Sequence, residues 1–314
     1  MPAPSVVAVD IGGTGIKAAR VLLDGRLEGR CTVPTPVGRG PAAVVATVAE
    51  VARRLVTPST LGVGVCVPGL VDAPAAVVRY APNLGMRDLP LGTLLAAELA
   101  LPVVMEHDVR AATLAELRLG LGVGADDLLL VALGTGIAAG LVVGGTVAAG
   151  ATASAGELGH LPVHVGGEPC ACGQRGCLEV YASAGGLVRR YRAAGGSPAM
   201  SAADLAAAVG VDPLAARVWD DGVRSLGHGL VCATLLLAPA LLVLAGGLSL
   251  AGERLADPVR AHLAAGLAWR EPPPLRLSPL GAHAGLYGAA LLAMDAAGHR
   301  GSTASWALPA PSVA

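Results

Sequence analysis

The chain has 314 residues, a length that accommodates one large domain or two of about 150 residues each. Hydrophobic residues make up 54% and charged residues 14%, so the chain is too apolar and too weakly charged to be intrinsically disordered. With 22 basic and 23 acidic residues, the formal net charge of −1 gives no electrostatic reason to expect binding to nucleic acid or to anionic lipid.

The first half of the chain alternates predicted strands and helices. A β-branched run at Val6–Val9 starts the pattern, and most strands end at a glycine, proline or acidic residue. In order, we predict strands over 6–9 and 16–22, a third strand after the turn at 24–25, a helix over 41–55, a strand over 61–67, a helix over 90–100, a strand over 103–105 and a helix over about 109–119.

The pattern restarts at Leu128. We predict strands over 128–133 and 138–143, and helices over 187–193, 202–208, 213–237, 255–267 and 285–297. Each half opens with a strand, a Gly-Thr turn and a second strand, which predicts a duplicated α/β unit.

The charge-free stretch 229–251 raises the question of a membrane span. Pro239 interrupts it and a pair of glycines ends it, which favours a buried helix to Ala238 followed by the buried strand Leu241–Leu244. Asp10 lies inside the first apolar run, which argues against a signal peptide. We therefore expect a soluble, cytoplasmic protein with no membrane partner.

Three glycine turns follow predicted strands, where backbone amides can approach a bound phosphate. A carboxylate precedes the first turn and could hold a hydrated magnesium ion. Each turn alone could be an ordinary hairpin, but three of them at strand ends favour a nucleotide site. The residues are Asp10, Gly12, Gly13 and Thr14 in the first turn, Gly134, Thr135 and Gly136 in the second, and Gly246 and Gly247 in the third.

Glu106-His107-Asp108 also ends a strand, at the edge where open sheets bind ligands. A carboxylate there could accept a proton from a substrate hydroxyl. The alternative is that Asp108 caps the following helix, a common role for aspartate.

His160, Cys170, Cys172 and Cys177 lie within eighteen positions and form a tetrahedral zinc set of one imidazole and three thiolates. Four protein ligands would leave no position open, which predicts structural Zn²⁺. The alternative is a reduced cysteine cluster beside a surface histidine. Glu157 and Glu179 flank these ligands and could accept hydrogen bonds from sugar hydroxyls, or could simply be solvent-exposed.

The segment Gly156-Glu157-Leu-Gly-His160, followed by Cys170-Ala-Cys172-Gly-Gln-Arg-Gly-Cys177-Leu-Glu179, resembles the motif of the ROK (repressor, open reading frame, kinase) sugar kinases. The three glycine turns lie where that family keeps two phosphate motifs and an adenosine turn. The resemblance extends over nearly the whole chain. It implies a duplicated actin/hexokinase-like (ribonuclease H-like) fold, with two α/β domains and ATP in a central cleft.

The resemblance also implies the domain boundaries and the residue roles. The smaller domain comprises residues 1–108 plus about 285–314, and the larger comprises 109–284 with the zinc loop and the nucleotide site. By this resemblance, Asp108 is the catalytic base. The resemblance also implies that the protein forms a homodimer. The implied sugar-binding residues are Gly69, Asn83, His107, Asp108, Glu157, His160 and Glu179, of which His160 also binds zinc.

Two positions depart from the family pattern. His107 stands where these kinases typically have asparagine, and a neutral imidazole has only one donor and one acceptor, so hydroxyl preference could differ. If protonated, it would stabilise the Asp108 carboxylate and weaken it as a base. The first turn continues Gly-Ile-Lys17, a spacing found in polyphosphate-dependent glucokinases, although the cysteine cluster favours ATP. We include Lys17 among the nucleotide-binding residues.

The sequence thus predicts an ATP- and Mg²⁺-dependent kinase that phosphorylates a hexose, with the 6-hydroxyl of glucose as first choice. An amino sugar, an N-acetylhexosamine or a cyclitol is the alternative acceptor, because of His107. A non-catalytic sugar-binding regulator is the remote alternative. Since the first strand begins at Val6, we expect no DNA-binding domain ahead of it.

Overall fold

Two α/β units, each built on a five-stranded sheet, make up the fold in the computed structural model, which describes residues 3–301 and Trp306. The first unit comprises Met1–Val123, Ala149–Ser154 and Ala282–Ala314, as far as these are described, and the second comprises Gly124–Ala148 and Ala155–Gly281.

The strands and helices follow the predicted order closely. The strands are β1 Ser5–Ile11, β2 Gly15–Leu22, β3 Leu27–Pro34, β4 Thr60–Val67, β5 Leu70–Asp72, β6 Val77–Ala81, β7 Met86–Leu89, β8 Val103–His107, β9 Leu128–Leu133, β10 Ile137–Val143, β11 Thr146–Ala148, β12 Leu241–Ala245 and β13 Leu275–Leu277. The α-helices are α1 Pro41–Leu55, α2 Leu91–Leu99, α3 Asp108–Leu119, α4 Leu178–Ala182, α5 Ala184–Ala193, α6 Ala202–Ala208, α7 Pro213–Leu237, α8 Glu253–Gly266 and α9 Ala284–Ala296.

The two five-stranded sheets have the same topology. Their strand orders are β3-β2-β1-β4-β8 and β11-β10-β9-β12-β13. In each sheet the first three strands in chain order form an antiparallel meander, and the remaining two are parallel to its first strand. This repetition confirms the duplicated α/β unit. A three-stranded antiparallel sheet, β5-β6-β7, is an addition to the first unit that the sequence did not predict.

Helices cover both faces of the first sheet, which explains why residues 6–9 of β1 are all apolar. Val7 and Val9 pack in a core with residues of α1, whereas Val6 and Ala8 pack with residues of α9. All four side chains are inaccessible to solvent. A strand buried on both faces reads as a continuous apolar run instead of an alternating one.

Local sequence signals fix the starts of several helices. Pro41 and Pro213 stand at the first helical positions of α1 and α7, where a missing N–H costs nothing. Asp212 accepts hydrogen bonds from the first amides of α7, and Ser201 and Asp204 form a reciprocal capping box on α6. These signals explain why the predicted bounds of α1, α6 and α7 match the structure.

The boundary between the units differs from the predicted position. The first unit continues to Val123, beyond residue 108, because α3 packs against α9, and it also takes in the short segment Ala149–Ser154. Within the predicted range 285–314, residues 302–305 and 307–314 lie outside the described part of the chain.

The predicted burial of the 229–251 stretch holds for the strand but not for the end of the helix. Most of β12 is buried, whereas Leu235, Leu236 and Leu237 at the end of α7 are exposed, Leu236 by 84%. Among the residues that the structure describes, no helix combines the length and apolar character needed to cross a bilayer.

Candidate active site

In the first unit, three parallel strands bring acidic side chains to one edge of the sheet. β1, β4 and β8 run in the same direction, so their carboxyl ends meet there. The register aligns Asp10 with Cys66, and Cys66 with Glu106. Because neighbours in register point to the same face, these three side chains lie in one row. Asp108 follows immediately as the first residue of α3.

The glycine turn after β1 is held by its own backbone and by a threonine. Gly12 N donates to Gly15 O at 2.9 Å, and Thr35 Oγ1 donates to Gly12 O at 2.6 Å. A side chain at Gly13 would meet no protein atom within 4 Å, so this side of the turn is open to a ligand. The sequence did not point to Thr35 as a partner of this turn, because it lies more than twenty residues further along the chain.

Asp10 lies in a restricted environment beside this turn. Lys17 Nζ is 3.8 Å from its Oδ2, and a Cβ on Gly285, at the start of α9, would come within 2.7 Å of the same oxygen. Burial raises the pKa of Asp10 to about 6, and the Asp108 charge adds to this, while Lys17 opposes it. A cation bound beside Asp10 would therefore stabilise the ionised form of this carboxylate, which burial disfavours.

Asp108 is held from one side only. His107 Nε2 lies 3.1 Å from Asp108 Oδ1, and Val109 N donates to the same oxygen at 2.7 Å. The side chain is 33% exposed, so the carboxylate stays accessible. Burial raises the pKa of Asp108, while the Val109 N–H and the Arg110 charge act in the opposite direction. The capping position of α3 is occupied by His107 instead of Asp108, and its side chain makes no capping bond.

Gly69 and Asn83 belong to neighbouring segments of the three-stranded sheet. Gly69 has φ +98°, and a Cβ there would come within 3.0 Å of Ala81. Asn83 is exposed in a 3-10 turn, Pro82–Leu84, that directly follows β6. Gly69 therefore lies close to Ala81, two residues before Asn83, so these two predicted sugar-binding residues belong to adjacent segments.

In the second unit, the other two glycine turns lie next to each other. β9 and β12 are parallel neighbours, so the turns that follow them share an edge of the sheet. Gly246 has φ +87°, and a Cβ there would lie 2.5 Å from Leu133 O. Gly134 N donates to Gly136 O at 3.0 Å, which closes the turn that contains Thr135. Only glycine fits at Gly246, since any side chain would be strained and would strike β9.

His160, Cys170, Cys172 and Cys177 converge on one point. One ligand atom from each lies within 4.8 Å of those of the other three. Cys170 Sγ is 3.8 Å from His160 Nδ1, and Cys172 Sγ is 3.7 Å from Cys177 Sγ. Three sulfurs and one imidazole nitrogen are the donor set of a structural zinc site, so these residues fit the predicted ion.

Glu157 and Glu179 lie on either side of His160. Glu157 Oε2 is 3.9 Å from His160 Nε2, and Glu179 Oε1 is 3.7 Å from His160 Nδ1. Both side chains are partly exposed. A Cβ on Gly136 would lie 3.0 Å from Glu179 Oε2, so the second glycine turn reaches this carboxylate. The imidazole thus directs one nitrogen towards the cysteines and the other towards Glu157.

Each unit thus gathers one set of the predicted residues. The first unit holds Asp10, Lys17, His107 and Asp108, and the second holds the zinc ligands, the two carboxylates and the remaining glycine turns. Besides Thr35, the sequence reasoning missed Gly285, whose only signal is its position at a helix start.

The sequence matches the model of the ROK family over residues 6–296. The glucokinase of Halalkalibacterium halodurans is 32% identical, over 90% of this chain and 92% of that protein. The N-acetylgalactosamine kinase AgaK of a Shewanella species is 34% identical, over 90% of this chain and 95% of that protein. A ROK family glucokinase from Streptomyces griseus, crystallised in complex with glucose and AMPPNP, is 33% identical with a TM-score of 0.83, covering 93% of this chain and 99% of that one. The chain therefore belongs to the ROK family and has its actin/hexokinase-like fold.

Proposed function

We propose that this protein is an ATP-dependent sugar kinase that transfers the γ-phosphoryl group to a hexose, with the 6-hydroxyl of glucose as the favoured acceptor. The observation that carries the proposal is the position of Asp108, an accessible carboxylate at the strand edge that also presents Asp10 and the open glycine turn. Relatives named glucokinase that match over most of their length support the choice of acceptor.

Asp108 acts as the general base. Its Oδ1 is held by His107 and Val109, which leaves Oδ2 to accept the hydroxyl proton. As that proton moves to Asp108, the sugar oxygen forms a bond to the γ-phosphorus and the bond to the β-phosphate oxygen breaks, releasing ADP. The raised pKa of Asp108 makes the carboxylate a better proton acceptor than an exposed aspartate.

The glycine turns and Asp10 bind the phosphates. The amides of Gly12 and Gly134 close their own turns, so the other backbone amides of the Gly12–Thr14 and Gly134–Gly136 turns would donate to phosphate oxygens. Gly247, where a Cβ would meet no protein atom within 4 Å, leaves room for the nucleoside. Asp10 would hold Mg²⁺, and this ion would supply charge neutralisation on the phosphates. Lys17 adds a second positive charge near Asp10.

The second unit supplies the sugar-binding carboxylates. Glu157 and Glu179 accept hydrogen bonds from sugar hydroxyls, and His160 contributes through the nitrogen that faces Glu157. The ligands His160, Cys170, Cys172 and Cys177 would hold structural Zn²⁺, which orders the loop that carries these carboxylates. Gly69 and Asn83 are the further sugar-binding candidates within the first unit.

An amino sugar or N-acetylhexosamine is the second candidate acceptor. His107 is the observation that favours it, since its Nε2 is occupied by Asp108 and cannot serve a hydroxyl as a free amide would. The relative named N-acetylgalactosamine kinase, with 34% identity, is consistent with this alternative.

We further propose a cytoplasmic homodimer. The cytoplasm supplies ATP and keeps thiols reduced, and the six cysteines, all within the described residues, are free thiols. Leu236 and Trp269 of the second unit are 84% and 75% exposed, and large apolar side chains of this kind are often covered in an assembly. Light scattering after size exclusion tests the dimer, and a monomer at micromolar concentration rejects it.

A coupled ADP-release assay tests the function. Glucose, mannose, N-acetylated hexosamines and cyclitols serve as acceptors, with ATP or polyphosphate as the donor. We expect ATP and glucose to give the highest kcat/KM, and His107→Asn to shift the ratio between glucose and N-acetylhexosamines. The absence of ADP release with every acceptor contradicts the proposal.

A further inference from the structure

A buried arginine lies two residues after the proposed base, in the same helical turn. Arg110 sits in the first turn of α3, and its side chain is only 3% exposed. A buried guanidinium is costly unless every donor finds a partner, so its contacts show what the position requires.

Arg110 connects three separate stretches of the first unit. Its Nε donates to Glu106 Oε1 at 2.8 Å, and its Nη2 lies 2.6 Å from the same oxygen. Its Nη1 donates to Ala153 O at 2.8 Å, and its Nη2 also donates to Val71 O at 3.2 Å. Glu106 in turn accepts from His107 N at 2.7 Å, which joins this network to the residue next to Asp108.

The two carbonyls come from segments with a place in the proposed site. Val71 lies in β5, two residues after Gly69. Ala153 lies in Ala149–Ser154, a segment that belongs to the first unit although its neighbours on both sides belong to the second. Ala153 has φ +56°, in the left-handed region, a conformation that alanine adopts only when its surroundings impose it. Glu157 follows four residues later.

We propose that Arg110 is a positioning residue for the base, fixing the end of β8 and the segments at Val71 and Ala153 around the start of α3. This inference rests on the proposed function, because it assigns Arg110 a task only if Asp108 accepts the proton. Arg110 touches no reacting atom and acts through the carboxylate that it helps to place.

Several charged groups surround Asp108, and Arg110 is one of two cations among them. His107 and Glu106 face it from β8, Asp10 with its partner Lys17 from β1, and the buried Cys66 thiol from β4. The Arg110 charge lowers the pKa of Asp108 against the effect of burial. Removing this charge moves the acid limb of the kcat/KM profile to higher pH, and neutralising Glu106 moves it to lower pH.

The test compares Arg110→Lys, Arg110→Met and Glu106→Gln with Arg118→Lys. Arg118 is a matched control on the same helix, because it also pairs with a carboxylate, Asp295, at 2.7 and 2.8 Å, but lies away from Asp108. We expect Arg110→Lys to lower kcat by about 10- to 100-fold, since the single lysine nitrogen cannot reproduce the three separate positions from which Nε, Nη1 and Nη2 donate. The KM for ATP stays within about twofold of wild type, as small displacements of the base affect the chemical step most.

The direction of the pH shift separates positioning from stability. Arg110→Met moves the acid limb upward and Glu106→Gln moves it downward, whereas Arg118→Lys lowers the unfolding midpoint without moving the limb. An equal loss of kcat in Arg110→Lys and Arg118→Lys overturns the inference. If Arg110→Met does not fold, Glu106→Gln decides alone, and an unmoved limb overturns the inference. Near-normal turnover in Asp108→Asn instead rejects the proposed function.

Discussion

Asp108 is the residue on which the proposed chemistry depends. Replacing it with asparagine keeps the shape and the contact with Val109 N but removes the proton acceptor. General-base assistance contributes roughly 10²- to 10⁴-fold, so we expect Asp108→Asn to lose that factor in kcat. Equilibrium binding of the sugar, measured by calorimetry, stays detectable. Turnover near the wild-type value would show that another group takes the proton.

The ionised Asp10 carboxylate lowers the free energy of unfolding, because it is buried. Its pKa in the folded protein is about 6, above the ordinary value of 3.8, so between these pH values the folded state binds more protons than the unfolded state. Stability therefore falls as pH rises through this window and remains lower above it. We expect Asp10→Asn to raise stability at pH 7.5 by up to about 3 kcal/mol without nucleotide or Mg²⁺, and to abolish activity.

The matched control for this prediction is Asp24→Asn. Asp24 is exposed, and a hydrogen bond from the Arg26 backbone lowers its pKa, so its replacement has the opposite sign and leaves activity unchanged. Chemical denaturation at pH 4 and pH 7.5 measures both variants. A gain in Asp10→Asn that is equally large at pH 4 contradicts the electrostatic explanation.

At the scale of single elements, parallel strands decide where the site residues lie. β1, β4 and β8 end at one edge in the first unit, and β9 and β12 end at one edge in the second. Each turn at such an edge faces its neighbour instead of solvent alone. This arrangement leaves no room for a Cβ at Gly246, although a Cβ at Gly13 or Gly134 would meet no protein atom within 4 Å.

Gly246 provides the test at this scale. Its φ of +87° and the closeness of Leu133 O leave no room for a Cβ. We expect Gly246→Ala to destabilise the protein by about 1–3 kcal/mol and to raise the KM for ATP more than the KM for sugar. Gly210→Ala is the control, because a Cβ there meets nothing within 4 Å. Steady-state kinetics with each substrate varied in turn measure both KM values. An equal rise of the two would contradict the assignment of the Gly246 turn to nucleotide binding.

At the scale of the whole molecule, the two units have separate cores and only the second carries the proposed zinc ligands. Removing the metal with a chelator should therefore lower the stability of the second unit, because metal binding contributes directly to folding of a loop that has little core of its own. We expect hydrogen exchange to accelerate in residues 156–179 and sugar affinity to fall. Cys172→Ser should reproduce both effects.

Two results would contradict this prediction. If elemental analysis finds no zinc in protein purified without chelator, the proposed zinc site is wrong. If hydrogen exchange accelerates as much in the first unit as in residues 156–179, the metal does not act locally. Cys232→Ser is the matched control, since Cys232 lies on α7 outside the ligand set and its loss should change neither readout.

The sequence by itself predicted most of the strands and helices and singled out a candidate set of metal ligands. Pro41, Ser201 and Asp212 mark helix starts through signals a few residues long, and the four proposed zinc ligands lie within eighteen positions. Such signals are local, so a single sequence carries them. The duplicated unit was likewise visible, because the strand, Gly-Thr turn and strand occur twice in the same order.

Only the tertiary structure decided which distant groups meet. Arg110 reaches carbonyls 39 and 43 positions away, and Gly285 makes room for Asp10 from the opposite end of the chain. Neither contact produces a recognisable pattern in the sequence. Every residue has a backbone carbonyl, so the sequence does not show which carbonyls Arg110 reaches. The exposure of Leu236 could not be predicted either, since burial depends on what packs against a helix face and not on its apolar character alone.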